Sequence, residues 1–87
     1  MNMETEKSII RKIIEYIISN HPCGYTEDNL PLEKSLVELG ILDSYGVVEL
    51  VVFLETNWSI VIDDDEITRE KMGSIKKMAA LVNGKLS

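Results

Sequence analysis

Between Glu6 and Asn20 the isoleucines come in pairs, Ile9-Ile10, Ile13-Ile14 and Ile17-Ile18, with Lys7, Arg11, Lys12 and Glu15 set between them. Pairs that recur every three to four positions form one apolar stripe on an α-helix and break the alternation that a half-buried strand requires. Isoleucine favours strands by propensity, but the spacing overrules that preference and predicts a first helix over residues 6 to 20. His21-Pro22-Cys23-Gly24 stops it, because the residue before a proline is driven out of the α region and glycine tolerates a turn.

A stripe needs other apolar surface to cover it, and the rest of the chain supplies that surface mostly as helices. Residues 21 to 42 read as a long connection anchored by Leu30, Leu32, Leu36, Leu39 and Leu42, with a short helical turn over Ser35 to Leu39. A connection of about twenty residues is unusual in a small domain and often functional. Asp43 or Ser44 then caps a second helix ending near Asn57, in which Val47, Leu50, Val51, Leu54 and Trp58 fall on one side. Ile60-Val61-Ile62 leads into Asp63-Asp64-Asp65-Glu66, read as an exposed acidic loop. Thr68 caps a helix of little more than one turn, interrupted at Gly73, and Ser74 opens a last helix with Ile75, Met78, Ala79, Leu81 and Val82 turned inward and Gly84 near its end. The architecture predicted is all-α: a small four-helix bundle of three longer helices and one short one, with a long loop between the first two. At 87 residues, 1–87 makes a single domain without room for a large catalytic cleft.

Leu, Ile, Val and Phe account for 28 of the 87 residues, enough apolar surface for a folded core. The lone cysteine, Cys23, cannot close an internal disulfide, which points to a reducing compartment and a cytoplasmic location. No apolar run approaches the roughly 18 residues of a membrane span, and the opening Met1-Asn2-Met3-Glu4-Thr5-Glu6 is too polar for a signal peptide. The net charge of −6 conceals a division: Glu27 to Glu66 holds eleven carboxylates against Lys34 alone, whereas the flanks are net basic. An acidic middle repels phosphate backbones, so nucleic acid is an unsuitable partner and basic protein surfaces are suitable ones; the plainer reading is an acidic face that only aids solubility. A monomer is expected.

Ser44 stands at the start of the second helix, after an aspartate and at the end of the long connection. Unpaired N–H groups and the positive end of the helix dipole favour negative charge there, so a phosphate ester on its hydroxyl would be stabilised, although Asp-Ser before an apolar stripe is also a common cap. At about 100° per residue, Val48 and Val52 fall well away from the inward stripe. They are predicted to be partly exposed beside Tyr45 and Glu49, as a small apolar patch rimmed by acid, with Glu49 and Glu55 docking basic partner surfaces.

The run from Leu39-Gly40-Ile41-Leu42-Asp43-Ser44-Tyr45 through Val48-Glu49-Leu50-Val51 resembles the modification site of acyl carrier proteins, and the order of helices resembles that family over nearly the whole chain. The resemblance implies that Ser44 takes 4'-phosphopantetheine from a phosphopantetheinyl transferase, within a motif that includes Gly40 and Asp43. Asp43 would orient the transferase's metal and coenzyme A or simply cap the helix. It further implies a carrier rather than an enzyme, holding acyl or aminoacyl groups as thioesters for partners such as a loading ligase and condensing or transferase enzymes of fatty-acid, polyketide or specialised biosynthesis. Two residues, Ile41 and Leu42, separate Gly40 from Asp43, where the commonest family pattern has one, and Tyr45 follows where it has an aliphatic residue. That spacing resembles a subset of free-standing carriers, some of which carry amino acids.

Other chemistry finds less support. A hydrolase would want a Gly-x-Ser-x-Gly elbow or a Ser-His-Asp set, and His21, the only histidine, lies in the connection. The acidic run lacks the ligand spacing of an EF-hand, and Cys23 with His21 offers too few metal ligands, leaving Cys23 as a partly buried structural thiol. Neither catalytic nor metal-binding residues are therefore expected. The rival reading is an unmodified helical adaptor of the same fold that acts only through protein contacts.

Overall fold

The computed structural model describes residues 5–21 and 24–86. Four α-helices run in the order α1 (Glu6–Asn20), α2 (Ser44–Trp58), α3 (Arg69–Met72) and α4 (Ile75–Leu86), with a 3-10 turn at Asp64–Glu66 before α3. No strand occurs among the described residues. The fold is the all-helical bundle that the sequence predicts, with three longer helices and one short one. Pro22 and Cys23 lie outside the described residues, and with them the proline stop and the buried thiol.

The isoleucine pairs divide as a stripe demands. Ile9, Ile13 and Ile17 are fully buried, while their neighbours Ile10, Ile14 and Ile18 pack half-buried along the edge. Each fully buried residue of this size contributes about 1.5 to 3 kcal/mol of apolar transfer. α1 lies mainly against α4, whose Ile75, Met78, Ala79 and Val82 are buried, and α3 abuts α4 through buried Met72. Leu81 sits half-buried at the margin of α4 rather than within its inner face, and the helix runs through Gly84 to Leu86. From α2, Leu50, Val51, Leu54 and Trp58 enter the core, and Val47 is half-buried at its edge.

The long connection is held at two levels. Leu30, Leu36 and Leu42 are buried in the core, whereas Leu32 and Leu39 are only half-buried. Two backbone hydrogen bonds tie it to the corner between α3 and α4: the Leu36 N–H donates to the Gly73 carbonyl at 3.1 Å and the Lys76 N–H to the Leu32 carbonyl at 2.9 Å. The turn expected over Ser35 to Leu39 is present as a single turn, with the Leu39 N–H on the Ser35 carbonyl at 3.0 Å. Gly40 closes it at φ +76, a left-handed conformation that side chains rarely adopt, in open space.

The acidic stretch departs from an exposed loop at its end. Asp63, Asp64 and Asp65 are exposed, but Glu66 is half-buried, accepts from the Asp63 N–H at 2.9 Å and pairs with the Lys85 ammonium at 2.8 Å. These hydrogen bonds and the Lys85 charge hold the Glu66 carboxyl below the ordinary glutamate pKa. They also fasten the segment before α3 to the last turn of α4.

Candidate functional site

Three of the four helices begin at a hydroxyl. Thr5 Oγ1 accepts from the Ser8 N–H, Thr68 Oγ1 from the Lys71 N–H and Ser74 Oγ from the Lys77 N–H, each at 3.2 Å, and Ser35 Oγ does the same for the turn in the connection. The exception is α2. Here the cap is Asp43, whose Oδ1 accepts from the Gly46 N–H at 2.8 Å while its carbonyl accepts from Val47 at 2.9 Å. Ser44 is therefore the first helical residue rather than the cap, and it is exposed. The two residues of the motif divide the work, one holding the helix end and the other standing on it in the positive field of the helix dipole.

The backbone beneath Ser44 is tightly seated. A Cβ on Gly46 would lie 3.2 Å from Leu42 Cδ2 and 3.3 Å from His21 Cε1, so this glycine answers to space, whereas Gly40 answers to backbone angle. His21 packs under the first turn of α2, its ring centroid 5.9 Å from that of Tyr16 and its Nε2 buried without a hydrogen-bond partner. Contacts through carbon with Gly46 and Tyr16 make it a packing residue of this corner.

Beyond Ser44 the outer side of α2 is apolar. Tyr45 is 71 % exposed, Val48 57 % and Val52 55 %, as the helical geometry predicts, and Glu49 is exposed among them. These residues line one side of a shallow groove of about 580 Å³ whose far side is built by Tyr16 and Phe53. Their rings stack at 4.2 Å between centroids, and Phe53 meets the Trp58 ring edge-on at 5.9 Å. Burial, and after it the Glu49 carboxylate, raise the Tyr16 hydroxyl above its ordinary pKa. Tyr16 and Phe53 sit on the shoulders of two helices, and nothing in either helix's own period announces that they meet.

Glu55 differs from the free docking carboxylate expected of it. It is half-buried, and its Oε2 accepts from the Ile62 N–H at 2.9 Å. Its carbonyl accepts from Ile60 at 3.2 Å across left-handed Ser59, which closes α2. Glu55 thus fastens the segment after α2 with both its main chain and its side chain. A second, smaller apolar recess of about 260 Å³ lies between the 35–40 turn and α3, lined by Val37, Val47, Ile67 and Met72 among others. Among the described residues no group of three metal-ligating side chains occurs, and no helix is long and apolar enough to cross a membrane.

No protein-family model matches the chain. Curated relatives do: it is 36 % identical over 47 residues to the D-alanyl carrier protein of Streptococcus suis (strain 05ZYH33), and 34 % identical over 47 residues to that of Streptococcus pyogenes serotype M1. The matches support an acyl carrier protein family. In each case the aligned stretch is 54 % of this chain and spans 60 % of the relative's length.

Proposed function

We propose that the chain is one carrier-protein domain, not an enzyme, and that the Ser44 hydroxyl is the attachment point of 4'-phosphopantetheine. The observation that carries this reading is the division of labour at α2: Asp43 caps the helix, and Ser44 is left exposed on its first turn. The residues present suit such a group. A phosphodiester on Ser44 Oγ would lie at the helix N-terminus, where its negative charge is favoured. Attachment forms one P–O bond to Oγ, releases the nucleotide part of coenzyme A, and passes the serine proton to a base of the transferase, so this chain needs none of its own. The arm's terminal thiol then holds an acyl or aminoacyl group as a thioester. The names of the relatives and the Gly40-x-x-Asp43-Ser44 spacing favour the aminoacyl class over fatty-acid or polyketide intermediates.

Partner enzymes, namely the transferase, a loading ligase and the enzyme that takes the cargo off, read the patch of Tyr45, Val48, Glu49 and Val52, whose apolar centre and acidic rim suit a transient basic surface. Asp43 contributes to the transferase contact from its capping position, and Gly40 gives the turn that delivers the chain to it. Mass spectrometry after incubation with coenzyme A and a broad-specificity transferase tests the reading. One arm is expected on the wild-type chain and none on Ser44→Ala, with the far-UV helical spectrum unchanged. Transfer that persists in Ser44→Ala, or an arm on Ser35 or the buried Ser74, overturns the assignment, and a wild-type chain that takes no arm leaves the adaptor reading.

A further inference from the structure

The groove between α1 and α2 begins one residue past Ser44 and combines three chemistries: a stacked aromatic floor of Tyr16 and Phe53, an aliphatic edge of Val48 and Val52, and one exposed carboxylate, Glu49. Ser44, Val48, Val52 and Thr56 are spaced four residues apart and form a single ridge beside it. A group tethered to Ser44 is thus delivered along the edge of the groove. The arm has about fourteen bonds from the serine oxygen to its sulfur, which at the roughly 3.5 Å per three bonds of an extended chain spans about 16 Å. At 1.5 Å rise per residue, Glu49 lies about 7.5 Å and Phe53 about 13.5 Å along the helix from Ser44, both within that reach.

Resting on the carrier reading above, we propose that this groove is the resting seat of the arm's loaded end, and that it selects an acyl group bearing a free ammonium, an aminoacyl thioester, by pairing that ammonium with Glu49. The methylenes of the arm lie along Val48 and Val52. Tyr16 lines the same groove as Glu49, and its hydroxyl is a donor for the cargo's carbonyl. An aliphatic acyl group leaves Glu49 without a partner and gains only the apolar part of the groove. The recess bounded by Val37, Val47, Ile67 and Met72 also has Glu38 in its lining, but that carboxylate is paired with Arg69, and the apolar wall suits that other class.

The test uses the whole chain with the arm attached, carrying an alanyl or a propionyl group through a hydrolysis-stable amide. In amide ¹⁵N–¹H spectra at pH 6.5, where an α-amino group is charged, the alanyl arm is expected to shift the signals of Tyr16, Glu49 and Phe53, and the propionyl arm is not. Glu49→Gln removes the difference without changing the melting temperature. The true alanyl thioester, shielded in its seat, hydrolyses about twofold to fivefold more slowly on the wild type than on Glu49→Gln, the range of an exposed ion pair, while the propionyl thioester shows no difference. An arm that is accepted but shifts Val37, Val47, Ile67 and Met72 instead, or equal alanyl half-lives on the two proteins, overturns the seat and leaves the carrier reading standing. A chain that accepts no arm overturns both.

Discussion

Val51 and Val52 are chemically identical neighbours on α2, yet Val51 is 7 % exposed and Val52 55 %. The same division separates two glutamates of that helix: Glu49 is exposed at the groove, whereas Glu55 is half-buried and closes the segment behind it. Position around the helix, not residue type, decides which side chains hold the fold and which meet other molecules. The inner face is committed to the core with α1 and α4. The outer face beginning at Ser44 is left exposed.

Truncation on each face gives the largest contrast. Leu54→Ala, on the inner face, is expected to cost about 2 to 5 kcal/mol in denaturant unfolding. Val52→Ala is expected to cost less than about 1 kcal/mol while slowing arm transfer or cargo loading. A Val52→Ala protein as unstable as Leu54→Ala would erase the distinction between the faces, and one with unchanged transfer and loading would make the outer patch incidental.

The glutamates sharpen the comparison at intermediate scale. Removing the acceptor for the Ile62 N–H by Glu55→Ala is expected to lower stability by about 1 to 3 kcal/mol, and Glu55→Gln, which keeps a carbonyl acceptor, by less. Equal stability of wild type and Glu55→Ala in urea would return Glu55 to the class of free surface carboxylates.

The smallest effect extends the comparison beyond α2. The Glu66 carboxyl has a lowered pKa in the fold, through its hydrogen bonds to Lys85 and Asp63, so its contribution is complete at pH 7. That contribution is lost as pH falls below the ordinary glutamate value of about 4.3 and through the lower folded value. Unfolding midpoints measured from pH 7 to pH 3 should show Glu66→Gln losing less over this range than wild type. Parallel curves would detach Glu66 from the stability of the fold.

What could be read from the chain alone follows from periodicity. The isoleucine pairs mark α1, and the angular positions of Val48 and Val52 mark the outer face, because each is a property of one helix. The Asp-Ser pair was legible as a helix start, but not which of the two would cap. Contacts between elements left no comparable trace: Tyr16 meets Phe53 from another helix, and His21 meets Gly46 across the whole connection. Glu55 looks like surface charge because a carboxylate that accepts a backbone N–H seven residues away has no pattern of its own, whereas the Asp63-x-x-Glu66 spacing is that of a capping box.

The two hydrogen bonds between the long connection and the α3–α4 corner bear on the order in which the protein is assembled. Leu36 and Gly73 are distant in sequence, so the loop they close costs chain entropy that only the finished corner repays. The connection is therefore expected to take its shape late in folding. Hydrogen exchange of the Leu36 and Lys76 amides is expected only when the corner opens, on the timescale of the larger unfolding events rather than of loop fraying. Ser44 is thus presented at the end of a strap whose clasp lies far along the chain.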